Sequence, residues 1–388
     1  SVRRLRKAGN VMHTDLLHLT ENKLNELMER YYGGEATQKL IEEFELDVKK
    51  TEIYKLFPAE EFSEYKCKYC GQSLVANRLS KTNAKLRRKE IDLYCPTCGH
   101  KLISDCNCNN CMKVRMEEKN ERVNNICACF DNPPEPVVFQ KLSFKEKVYL
   151  GVLCRANLRE NSFEIAPQSE KKSILAPSDE IDSQIYEELY KANAIIVSSK
   201  SDVEAFEFDQ ENYPNTFSIY QVIYNLNIKF KDDKKEDILE ILNPTYYTKD
   251  NQNEALELWL EIAVAECIEY LQYTLNKVGF SFSPGDKTYM TFRILLNDFS
   301  VSQIYGIIWK AVADASKLYL EKSMNKRHAA NTVIGSCQRY AERAIINKWN
   351  LTGYRRIKEL PQSILSEFFF NRVLGIGEMG FELPPMIV

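Results

Sequence analysis

The sequence predicts a mainly α, multidomain protein with one small metal-bound section, on three observations. Its 388 residues exceed what one hydrophobic core usually holds, since single cores stop growing near about 250–300 residues. Apolar residues recur at helical spacing through most of the chain. Nine of the twelve cysteines fall between positions 67 and 129, a spacing suited to metal ligation rather than to scattered core residues.

The composition, 44% apolar and 28% charged, goes with no uninterrupted apolar run near the ~20 residues of a membrane span, so no membrane partner is expected. The opening SVRRLRKAGNV (1–19 form a basic N-terminal segment) has no apolar stretch behind it, and Met12 is a candidate natural start. Export is therefore not expected, a cytoplasmic and reducing location is, and clustered cysteines there read as metal ligands rather than disulfides. Charge is uneven: residues 1–130 hold 23 Lys or Arg and 19 Asp or Glu, the remainder 29 and 36. Contact with nucleic acid is expected in the first third.

Residues 20–60 contain three short helical patterns. Thr20 opens the first, Leu24, Leu27, Met28 and Tyr31 share its face, and Gly33 and Gly34 end it. EATQKLIEEF is the second, with Ala36, Leu40, Ile41 and Phe44 inward, and after the turn ELDV, KKTEIYKLF gives a third with Ile53, Leu56 and Phe57 buried. Three helices with so short a turn make the trihelical unit of helix-turn-helix proteins. The run EATQKLIEEFELDVKKTEIYKLF resembles the DNA-reading segment of recombinase and invertase helix-turn-helix domains. That resemblance implies that Lys49, Lys50, Thr51 and Tyr54 face a major groove, the lysines on phosphate or guanine and Thr51 on the backbone. Glu52, with Glu42, Glu43 and Glu45 on the helix before, departs from such a surface.

Residues 61–131 form the zinc-binding region. EYKCKYCGQSL and LYCPTCGHKL are two CxxCG knuckles, Cys67 with Cys70 and Cys95 with Cys98. Each puts two thiolates on a tight turn, and the glycine lets backbone amides curl toward the sulfurs. The 24 residues between them suffice for a pair of strands and a loop, the layout of a zinc ribbon, which the stretch resembles. Four cysteines leave no open position, so this metal staples a fold rather than catalysing. A second site draws on Cys106, Cys108, Cys111, Cys127 and Cys129 with His100 before them. Six ligands are on offer for four places; the set expected is Cys106, Cys108 or Cys111 with the pair Cys127 and Cys129, His100 being a substitute. The cofactor expectation is thus zinc, two ions. Between the knuckles NRLSKTNAKLRRKE carries Arg78, Lys81, Lys85, Arg87, Arg88 and Lys89 against the single acid Glu90, a cationic loop suited to phosphate contact.

NPPEP marks a linker at 132–141. Beyond it, residues 142–228 resemble a winged-helix domain: a helix opening on the capping box Ser143 and Glu146, a second helix in SDEIDSQIYEELYK, then a strand at Ile195 to Val197 for which AFEF is the expected partner. The acids Asp179, Glu180, Asp182, Glu187 and Glu188 on the second helix argue against DNA contact there. Residues 235–388 are expected to be one all-α domain, a helical bundle for a protein partner or self-association. His328, near Arg339, Arg343, Arg355 and Arg356, is the one candidate for an active or anion site. No GxxxxGK[ST], HExxH or paired-carboxylate pattern occurs, and GIGEMG at 375–380 lacks the preceding strand of a glycine motif; no small-molecule cofactor is expected.

The functional expectation is a bacterial, sequence-directed double-stranded DNA-binding protein without catalytic activity, a regulator or a mobile-element or phage-defence component. Its alternatives are a zinc-stapled protein–protein interaction adaptor and a nuclease effector using His328.

Overall fold

A computed structural model describes residues 13–86, 92–160, 163–170, 173–229, 237–322 and 325–386. The chain is mainly helical and divides into two compact units, Ser1–Glu121 and Arg122–Val388.

The first unit begins with α1 (Glu21–Tyr32), capped by the Thr20 side chain, and α2 (Thr37–Glu43). Leu24, Leu27, Tyr31, Leu40, Phe44, Ile53, Leu56 and Phe57 close one small core, as the apolar spacing required. The third helix expected from KKTEIYKLF is not formed. The chain makes a single 3-10 turn, Ile53–Lys55. α2 stops where Glu45 takes a left-handed φ of 51°, and Pro58 disfavours helical backbone at Phe57. The few residues between include the β-branched Val48, Thr51 and Ile53, so burial of Ile53, Leu56 and Phe57 wins without a helix.

An antiparallel pair follows, β1 (Glu60–Lys66) and β2 (Ser73–Ala76), with the first knuckle as its turn. Among its described residues the segment between the knuckles therefore holds one strand, then a short helix α3 (Lys81–Leu86). Tyr94 re-enters the sheet by bridging Val75 on one side and Lys101 on the other. α4 (Asn109–Phe130) takes in the polar stretch MKVRMEEKNERVNN, starting two residues before Cys111 and running without a break past Cys129.

The second unit has one continuous apolar core, from Phe139 and Val148 through Trp259 and Ile308 to Phe370. Small sheets line one part of it. β3 (Val137–Val138) pairs in parallel with β9 (Ile228–Lys229), and β4 (Glu164–Ile165), β8 (Tyr224–Leu226) and β5 (Ile195–Val197) form an antiparallel sheet in the order β4-β8-β5. β6 (Phe206–Phe208) and β7 (Pro214–Phe217) make a separate hairpin. The strand at 195–197 thus pairs with Tyr224–Leu226, and AFEF with Pro214–Phe217, rather than with each other as a wing. Both flanking helices are where the caps put them: α5 (Phe144–Asn157) opens on the Ser143/Glu146 capping box and α6 (Asp179–Lys191) on Ser178.

The remaining helices are α7 (Asp237–Leu242), α8 (Gln252–Lys277), α9 (Asp286–Leu295), α10 (Val301–Lys322), α11 (Lys326–Ile346), α12 (Ile364–Phe368) and α13 (Met379–Glu382). α5, assigned by sequence to a domain of its own, packs on α7, α8 and α12, so 142–228 and 235–388 share their core. Two close approaches require glycine. A Cβ at Gly151 would collide with the Phe368 ring, and one at Gly380 with that of Phe370. The most deeply buried acid among the described residues' ion pairs is Glu266, 2% exposed, whose Oε1 meets Arg356 Nη2 at 2.9 Å.

Candidate metal centres

The two CxxCG knuckles fold alike. Gly71 and Gly99 both have φ of 71°, in the region that favours glycine. The amide of Gly71 donates to the carbonyl of Cys67, and that of Gly99 to Cys95, each at 2.9 Å. Cys67 N–H donates to Gln72 at 2.8 Å and Cys95 N–H to His100 at 2.7 Å. The repeat brings four sulfurs together: Cys67 Sγ is 3.5 Å from Cys98 Sγ, Cys70 Sγ is 3.3 Å from Cys95 Sγ, and all four lie within 4.8 Å of one another. A tetrahedron with zinc–sulfur bonds of about 2.3 Å has edges of roughly 3.8 Å. The cluster therefore fits zinc, and none of the twelve cysteines is in a disulfide.

A second cluster joins His100, Cys106, Cys108 and Cys111, again within 4.8 Å. His100 Nδ1 is 3.3 Å from Cys111 Sγ and 4.0 Å from Cys108 Sγ. His100, Cys106 and Cys111 are buried. Backbone amides aim at the sulfurs, Lys101 N–H at Cys106 Sγ (3.1 Å) and Cys111 N–H at Cys108 Sγ (3.4 Å). Chiefly through the amide of Lys101, the Cys106 thiol is drawn down to about 6, favouring the thiolate that a metal takes. Two zinc ions thus fit the chain, the first among four cysteines and the second among three cysteines and a histidine.

The composition of the second set corrects the expectation. Cys127 and Cys129 are not in it, and His100 is a full member. The reason is mechanical: Cys111 and Cys127 lie on one uninterrupted helix, and a helix cannot fold its two ends onto one ion. The sequence carried the signal. His100, Cys106, Cys108 and Cys111 are a compact run of four ligands, and the helical pattern of MKVRMEEKNERVNN continues straight into NICACF.

Tyr69, inside the first knuckle, links the two clusters. Its hydroxyl lies 3.2 Å from Cys111 Sγ, placed to donate to the thiolate. Its ring packs edge-on against His100, centroids 5.1 Å apart. Nothing local in the sequence marks Tyr69 for this role, because its partners Cys111 and His100 lie 42 and 31 residues further on.

The residues expected on nucleic acid are dispersed. Lys49, Lys50 and Thr51 are exposed on the turn before the 3-10 helix, and Tyr54 is half-buried. Tyr54 lines a cleft of about 460 Å³ with Arg78, Asn83, Tyr94 and Lys101. Arg78 is spent within the unit, its Nε donating to the Pro58 carbonyl at 3.3 Å and its Nη1 pairing with Glu60 at 3.1 Å. Lys81 donates to the Glu35 carbonyl at 2.7 Å and lies over the Tyr31 ring. Lys85 is on α3, and Arg87, Arg88 and Lys89 lie outside the described residues. His328 is exposed in the first turn of α11, where its amide donates to the Asn325 cap. Its ring makes no hydrogen bond or ion pair among the described residues.

No helix of the described residues is long and apolar enough to cross a membrane. In comparisons with known proteins, no family model, no curated protein and no solved structure gives a significant match to the chain.

Proposed function

We propose that the protein binds double-stranded DNA through its first unit, the two zinc ions acting as staples and not as catalysts. The observation that carries this reading is the position of the basic segment in the chain: 78–89 holds six Lys or Arg and no acid and lies in sequence between the two knuckles of a closed four-cysteine cluster, flanked by β2 and by the sheet bridge at Tyr94. Coordination sets filled by protein ligands leave no site for a reacting water, while a metal-braced scaffold holds a cationic loop toward a polyanion at little ordering cost. Without a third helix, Lys49, Lys50 and Thr51 suit phosphate contact on a turn better than base edges in a groove.

The adaptor reading has one observation in its favour: Arg78 and Lys81 spend their charges inside the unit. Binding of the full chain to random-sequence duplex over a salt series separates the two. The DNA reading expects affinity to fall by about 0.9 log units per log unit of salt for each phosphate held, and the triple variant Arg87→Ala, Arg88→Ala, Lys89→Ala to lower that slope by up to about 3. A metal-loaded protein with no duplex binding at low salt would move the assignment to the adaptor.

A further inference from the structure

The second unit is the more acidic part of the chain, yet one stretch of it is strongly basic. Residues 326–358 hold eight Lys or Arg and a single acid, Glu342. The same stretch, with the neighbouring face of α10, carries large aromatic rings at the surface. Trp309 is 51% exposed, Trp349 45% and Tyr354 37%, which is far from the burial such rings usually reach. The rings are grouped. Trp309 and Tyr354 have centroids 6.3 Å apart, and Tyr340 and Trp349 5.6 Å. Trp309, Tyr340 and Tyr354 together line a slot of about 210 Å³, with Gly306, Ile307 and Lys310 also in its lining.

The slot is built by backbone, not by chance side-chain placement. The loop after α11 is pinned to α10 by the Tyr354 amide donating to Ser302 O at 2.8 Å and by Gln303 Nε2 donating to Leu351 O at 3.1 Å. Gly353 permits that approach, because a Cβ there would collide with Ser302 Oγ. The ring of Tyr354 is thereby held beside Trp309. Close in sequence to these rings, Arg343 three residues after Tyr340, Lys348 before Trp349 and Arg355 after Tyr354 are exposed and make no side-chain ion pair among the described residues. Arg356 differs, since its charge is met by buried Glu266, and Lys310 is paired with Asp314 at 2.9 Å. The polar cleft on the other side of Tyr354 mixes Arg355 with Glu378 and Glu382 and is a poorer host for an anion.

We propose that this face of the second unit binds single-stranded nucleic acid, with an unstacked base held in the slot of Trp309, Tyr340 and Tyr354 and the backbone phosphates on Arg343, Lys348 and Arg355. Exposed rings interleaved with unpaired cations are what a single strand recognises, because every base offers a π-face and every linkage a negative charge. A duplex keeps its bases stacked and cannot enter a slot of this kind, so the site differs in ligand and location from the duplex contact assigned to the first unit.

The chain's own tryptophans report the test. All three lie in this unit; Trp259 is 1% exposed in the core, while Trp309 lines the slot and Trp349 packs against Tyr340 of its lining. Titration of the full chain with an oligothymidylate of about 12 nucleotides, a common site length, is expected to quench the exposed tryptophans. Trp309→Ala and Tyr354→Ala should each weaken binding about 10- to 100-fold, Trp309→Phe should restore most of it, and the charge reversals Lys348→Glu and Arg355→Glu, at exposed positions, should weaken it without touching the fold. The triple variant at 87–89 should bind the oligonucleotide as wild type does, which keeps failure here distinct from failure of the duplex reading. Polyglutamate, an anion without bases, should not compete. Equal binding by the alanine variants, or equal quenching by polyglutamate, overturns the proposal.

Discussion

The two units are held together by opposite means. The first closes its apolar cores on short lists of residues, one of them little more than Leu74 with two metal-ligating cysteines, and its knuckles converge only because seven thiols and one imidazole meet at two points. The second encloses a single core running from α5 to α13 and holds no comparable ligand cluster among its described residues. The difference teaches what each can lose. A small fold that cannot bury enough surface borrows its stability from metal, whereas a large core depends on packing and on the few polar groups it encloses.

Metal removal should break the comparison most sharply. A strong chelator is expected to unfold the region around the knuckles, since binding free energy at structural zinc is folding free energy. The second unit should stay folded. Thiol titration would then count the released cysteines, while tryptophan emission, which comes only from the second unit, stays unchanged.

The reverse experiment targets the buried ion pair. Glu266→Ala leaves Arg356 beneath the surface with Ser366 Oγ at 3.4 Å as a weak substitute partner. It should cost roughly 3 kcal/mol, the low end for breaking a buried pair because Arg356 keeps some contact with water. Denaturant unfolding followed by tryptophan emission should show the loss, and zinc content should not change.

Smaller in energy is Tyr69→Phe. Removing the hydroxyl beside Cys111 takes away a hydrogen bond to a ligand, and such outer partners are worth about 10-fold or more in metal affinity. Competition with a chromophoric chelator should show the second ion leaving more readily, with the first little affected.

The mildest contrast is in pH. Burial raises Glu269 to about 7, with Glu266 adding to the effect, and raises Asp182 to about 6. Both carboxyls hold their proton more tightly folded than unfolded. Their contribution to stability is therefore complete below the ordinary values of 3.8 and 4.5 and is lost as pH rises through about 6 and 7. Glu269→Gln and Asp182→Asn should flatten that loss in the second unit. The first unit should respond in the other sense, because protons compete with zinc for thiolate and imidazole as pH falls.

How much of this was legible in the sequence obeys the same division. The four-cysteine cluster was readable because CxxCG encodes its own geometry: the thiols, the turn and the left-handed glycine are neighbours in the chain. Helix starts at Thr20, Ser143 and Ser178 were readable for the same local reason. What failed depended on partners distant in sequence. Pairing of Ile195–Val197 with Tyr224–Leu226 rather than AFEF is decided by which strand the shared core places alongside. The membership of His100 depended on whether α4 ran on past Cys111, a question of helix continuity that counting cysteines does not ask. The third helix of the trihelical pattern was an apolar spacing that a single 3-10 turn satisfies equally well.

The central claim is that two zinc ions are held by Cys67, Cys70, Cys95 and Cys98 and by His100, Cys106, Cys108 and Cys111. It is tested most directly by the metal content of the purified chain and of three variants. Two zinc ions per chain are expected for the wild type and for the double variant Cys127→Ser, Cys129→Ser, and one for Cys111→Ser and for Cys95→Ser. Loss of an ion from the Cys127/Cys129 variant, or retention of both in Cys111→Ser, would contradict the account.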